Sequence, residues 1–135
     1  YHVRLLHRYH HILMGGFHIE EAIYGPQYYY PGKAQEVREY EPDMPDSVIL
    51  VHLHATPEQI RQRMQSAPHP HQLVLAEDVE VILDAFADQV RRSWIRRKIT
   101  IDTTDLTPSN LLDSFLKLSV PHLEPADAAT RMLTA

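Results

Sequence analysis

A chain of 135 residues, 44% hydrophobic and 23% charged, has the composition of one globular domain with a modest core. Its formal net charge of -5 argues against a general nucleic-acid or anionic-membrane binder. The absence of cysteine excludes disulfides and thiolate metal sites and suits a cytoplasmic setting, and no apolar run approaches membrane-spanning length.

The chain opens in helical sequence from Tyr1 to about His11, with Val3, Leu6 and His10 on one face and Arg4, His7, Arg8 and His11 on the other. It shows no initiator Met and no leader, which reads as a fragment of a longer protein. Ile12-Leu13-Met14, halted by Gly15-Gly16, reads as a brief buried strand ending in a turn where the backbone must approach something closely. Phe17–Tyr24 mixes polar and aromatic residues, and the following GPQYYYPGK places three tyrosines between two turns, a plausible wall for a planar ligand. Ala34–Glu41 is expected as a short, charged, exposed helix, and Pro42 and Pro45 stiffen the link that follows.

Ser47–Met64, SVILVHLHATPEQIRQRM, is the stretch around which the rest is organised. Its β-branched apolar run fits a strand buried on both faces, as in a parallel sheet. Thr56 stands at a helix N-cap position, Pro57 at the first helical position, and Gln59 where a capping box closes. The helix carries Arg61 and Arg63 one turn beyond the carboxyl end of the strand, where ligands bind in open α/β sheets. SAPHPH (66–71) is a loop. Glu77–Trp94 has Val79, Ile82, Leu83, Phe86, Val90 and Trp94 at helical spacing, with basic residues gathered from Arg91 to Lys98. Lys98–Thr103 alternates as a strand, Thr107-Pro108 repeats the cap-plus-proline start, and Leu111, Leu112, Phe115 and Leu116 form an apolar stripe to about Ser119. A weak terminal helix is expected over Glu124–Ala135.

Taken together, LHATPEQIRQRM, FADQVRRSW and KITIDTT, followed by a Thr-Pro-started helix, resemble the carboxyl half of a thymidylate-kinase-like P-loop nucleotide kinase. Leu53, Thr56, Pro57, Glu58, Arg63, Phe86, Val90, Arg91, Trp94 and Asp102 occupy the matching positions. The resemblance implies a three-layer α/β/α fold with a partial parallel sheet flanked by helices. It implies ATP-dependent phosphorylation of a nucleoside monophosphate or similar acceptor by the complete parent. Phe17, His18, Glu20, Glu21 and Tyr24 would hold the acceptor, Arg61 and Arg63 would contact phosphate, and Asp102, Thr103 and Thr104 would lie beside the adenine. ATP and Mg would be cofactors of that parent and none of this chain alone. A small nucleotide would be the partner, without nucleic acid or membrane, and a homodimer through helices is consistent with the family.

The sequence departs from the family in ways that bear on catalysis. No GxxxxGK[ST] occurs, Gly15-Gly16 stand where an acid–arginine pair is usual, and His54 stands in place of an Asp. The chain alone is therefore expected not to turn over, and its isolated strands are expected to leave open sheet edges that favour aggregation or self-pairing. Bland readings stand beside the sharp ones: a solvated helix face for the arginines, exposed loop acids for Glu20 and Glu21, and a strand-to-helix turn for Asp102–Thr104. The alternative function is a non-catalytic α/β scaffold that has lost its phosphate loop. The histidine pairs His7/His11, His52/His54 and His69/His71 lack the third and fourth ligands a zinc site needs, so no metal is assigned.

Overall fold

A computed structural model describes residues 2–9, 11–32 and 37–134. The architecture is mixed α/β, rich in helix, with one two-stranded parallel sheet among the described residues. The chain divides into two compact units, one formed by Tyr1–Met44 with Ala55–Trp94 and the other by Pro45–His54 with Ile95–Ala135.

The first unit is helical. Helix α1 spans His2–Arg8, α2 spans His18–Tyr24 and runs into a π-helical turn at Gly25–Tyr29, and a 3-10 helix covers Val37–Asp43. Helix α3 spans Pro57–Ser66, and α4 spans Val79–Arg92. Thr56 caps α3 as its spacing predicts: Gln59 N–H donates to Thr56 Oγ1 at 3.3 Å, with Pro57 in the first turn. Helix α4 buries Val79, Ile82 and Val90 along one stripe, and α2 buries His18, Ile19 and Ile23. Helices α2 and α3 both pack against α4. Each buried aliphatic side chain there contributes about 1.5–3 kcal/mol relative to exposure.

The second unit holds β1, Ile49–His54, and β2, Arg97–Asp102, paired in parallel from Ile49 opposite Arg97 to His54 opposite Asp102. Helix α5, Pro108–Ser119, packs against β2, and α6 spans Pro125–Thr134 beyond a short 3-10 turn at Val120–His122. Thr107 caps α5 through the Asn110 N–H at 3.2 Å. The unit's buried aliphatic residues lie in β2, at Ile99 and Ile101.

Four expectations need correction. Ile12–Met14 forms no strand: the run is three residues long, Leu13 is 93% exposed, and Gly16 turns the chain away at φ +74°. The strand over 47–54 is not buried on both faces. It has one partner among the described residues, and Leu53 is 51% exposed. Glu20 and Glu21, read as loop acids, lie in helix α2. The expected Ala34–Glu41 helix is a 3-10 helix from Val37 to Asp43, and its Glu41 is buried rather than exposed; Ala34, Gln35 and Glu36 lie outside the described residues, as do Tyr1, His10, Lys33 and Ala135.

Candidate functional site

Helix α2 sorts its side chains by spacing. His18, Ile19 and Ile23 face inward, while Phe17, Glu20, Glu21 and Tyr24 recur at i, i+3, i+4 and i+7 and share the other face. The turn at Gly25–Tyr29 folds back on that face, closed by Tyr30 N–H donating to Gly25 O at 2.6 Å. The result is an open cleft of about 300 Å³ lined by Phe17, Glu20, Glu21, Tyr24 and Tyr29, with Gly15 and Gly16 at its edge. Gly16 serves the cleft in two ways. Its positive φ favours glycine, and a Cβ there would collide with the Glu20 carboxylate, so the backbone approaches this side chain closely.

The rings are held from behind. Tyr24 meets Phe86 of α4 edge to face with centroids 5.7 Å apart, and Tyr28 donates from its hydroxyl to Asp78 at 3.0 Å. Burial and that hydrogen bond push the Tyr28 phenol up to about 12. Burial, with Glu20 and Tyr29 next in weight, also pushes Tyr24 up, so its ring stays neutral at physiological pH. Among the described residues no side chain pairs with the Glu20 or Glu21 carboxylate. Elsewhere in the unit, Glu41, Asp78, Glu80 and Asp88 all accept from a named donor.

Below the cleft α2 is anchored by a buried polar knot. His18 Nε2 lies 2.8 Å from Glu41 Oε1, and the same carboxylate accepts from Ser93 Oγ at 2.7 Å and from the Trp94 N–H at 2.5 Å. His18 Nδ1 is buried without a partner, which favours the tautomer that carries its proton on Nε2 and donates to Glu41.

The site residues expected from sequence thus separate. Phe17, Glu20, Glu21 and Tyr24 come together in the cleft, and His18 points away from it into the knot. Arg61 donates from Nε to Ala76 O and from NH2 to Glu80, both at 3.0 Å, tying α3 to the approach and first turn of α4. Arg63 lies in the last turn of α3, where its carbonyl accepts from the Ala67 N–H. Asp102, Thr103 and Thr104 belong to the other unit. There Asp102 Oδ1 accepts from Thr104 N and Oγ1, and Thr103 donates from N and Oγ1 to His54 O at 2.7 and 2.9 Å. These bonds form a turn at the ends of both strands.

The basic run also divides. Arg91 and Arg92 pair with Asp88, whereas Arg97 donates to His122 O and to Glu124. His7 Nε2 bonds Asp43 O, and no group of three metal-binding side chains occurs among the described residues. The helical spacing over residues 17–24 was a readable signal for the cleft face. The roles of Glu41 and Ser93 were not readable, because their meeting spans 52 residues of sequence.

Compared with known protein families, curated proteins and solved structures, the chain matches none. No helix among the described residues is long and apolar enough to cross a membrane.

Proposed function

We propose that this chain is the acceptor-holding part of an ATP-dependent, cytoplasmic nucleotide-kinase-like phosphotransferase, acting with a phosphate-binding segment that its sequence does not contain. The acceptor is a nucleoside monophosphate or a similar acceptor. One observation carries the reading: Phe17, Glu20, Glu21 and Tyr24, four of the five residues that the family resemblance assigns to the acceptor, line one cleft together with Tyr29, while the fifth, His18, bonds Glu41 instead. Rings on that face stack a planar group, and the carboxylates position a hydroxyl of the acceptor. Phosphoryl transfer needs little more than such positioning and charge neutralisation. Without the phosphate loop the chain binds acceptor and does not turn over.

Calorimetric titration with nucleoside monophosphates and, separately, with ATP-magnesium tests this. Saturable heat for an acceptor, lost in Phe17→Ala, is expected, with none for ATP-magnesium. No saturable heat for any acceptor would favour the second reading, a scaffold domain, which gains support from Arg61 being engaged by Ala76 and Glu80.

A further inference from the structure

The cleft has a charge as well as a shape. Three aromatic rings and two carboxylates line it, and among the described residues neither Lys nor Arg does. The unit's other cations near acids are spent on them: Arg61 on Glu80, Arg91 and Arg92 on Asp88. Glu20 and Glu21 have no such partner, and Glu20 is held against the Gly16 backbone on the cleft's edge. A phosphate dianion entering here would meet two like charges, and no Lys or Arg among the described lining residues offsets them. A protonated or quaternary amine would meet the reverse. Ring faces attract a cation through their quadrupole, and unpaired carboxylates add a Coulombic term.

We propose that the cleft of Phe17, Glu20, Glu21, Tyr24 and Tyr29 is a binding site for an organic cation, a protonated or quaternary amine carried by the ligand. The ring of Tyr24 stays uncharged and keeps its attractive face, and the T-shaped contact with Phe86 fixes its plane. Tyr29, brought round by the π-helical turn, supplies a further wall. The cation site stands whether or not the ligand is then phosphorylated. Where the phosphotransferase reading also holds, this deepens it, because the acceptor of that reading is then one that carries an amine.

The test uses the full chain and tetramethylammonium chloride, followed through backbone amide NMR shifts. Its neutral near-isostere tert-butanol, sodium chloride and thymidine monophosphate serve as comparisons. Saturable shifts confined to residues 15–29 are expected for the quaternary amine and for neither its neutral counterpart nor sodium chloride. Glu20→Gln with Glu21→Gln should weaken that binding by about tenfold. Both carboxylates lie outside the buried core, so an unchanged melting temperature separates lost binding from lost fold. Equal binding of the isostere would overturn the inference by reducing it to hydrophobic contact. Thymidine monophosphate binding without the cation would overturn it and leave the phosphotransferase reading intact. Failure of the quaternary amine to shift any of these residues would overturn the inference, whatever the acceptor titrations show.

Discussion

The two strand–Thr-Pro–helix segments, 49–66 and 97–119, and the stretch 11–44 are built on different principles. In the first pair, each element is specified by residues within a few positions of itself. A β-rich run makes the strand, a threonine oxygen caps the helix, and a proline opens its first turn. In the stretch 11–44, conformation depends on partners far along the chain. Tyr28 reaches Asp78, and Glu41 gathers His18, Ser93 and Trp94. Local specification is legible and gives up small increments when broken. Long-range specification is hidden and concentrates its energy at one residue.

The largest effect is therefore expected at Glu41. Glu41→Ala leaves the buried His18 Nε2 and Ser93 Oγ and the part-buried Trp94 N–H around an empty acceptor. Each buried donor left unsatisfied costs about 1–3 kcal/mol. Urea unfolding should show that loss, and Glu41→Gln, which keeps one acceptor oxygen, should fall between the two. A change in stability within about 0.5 kcal/mol of zero, the range of ordinary surface substitutions, would mean that the knot does not organise α2.

Breaking the local devices should cost less and cost the same twice. Thr56→Ala and Thr107→Ala each remove one cap, to Gln59 N–H and Asn110 N–H respectively, at about 1 kcal/mol. Serine at either position should restore most of it. Thermal melts of the two alanine variants decide the matter. A loss at one position only would show that the two starts, alike in sequence, are not alike in energy.

This contrast explains what was legible. The α/β class, the ends of α3 and α5, and the apolar stripe of α4 follow from periodicity and caps. Ile12–Met14 misled because an apolar run specifies a strand only when a neighbour pairs with it, and it has none. Glu20 and Glu21 read as loop acids because Gly25-Pro26 and the tyrosines that follow them are turn-rich. Yet Pro26 sits in the first turn of the π-helical segment, where its missing N–H costs nothing. Glu41, beside Pro42 in a charged run, carries the local signs of an exposed acid. Only the fold, by bringing Ser93 and His18 to it, makes it a core residue. The cleft was legible as a set of residues and not as a surface, since its face exists only once α2 is helical.

The smallest effect, and the one that sharpens the strand segments, is a pH dependence at β1. His52 and His54 share a strand face with ring centroids 5.5 Å apart. Burial, and secondly the neighbouring His54, hold the His52 pKa below its ordinary value of 6.5. The folded state thus keeps His52 neutral where the unfolded chain would take up a proton. Between the folded pKa and 6.5 the unfolded state binds more protons, so this group makes stability rise with pH. On acidification the loss begins near the unfolded value and levels off once pH has fallen through the folded one. His52→Gln should remove that slope between about pH 7 and pH 5 without changing stability at pH ~8. His54→Gln, by removing the like charge and leaving the burial, should raise the His52 pKa in an NMR titration without bringing it fully back. An unchanged His52 titration in His54→Gln would assign the whole shift to burial, and the histidine pair would then be a pair in geometry alone.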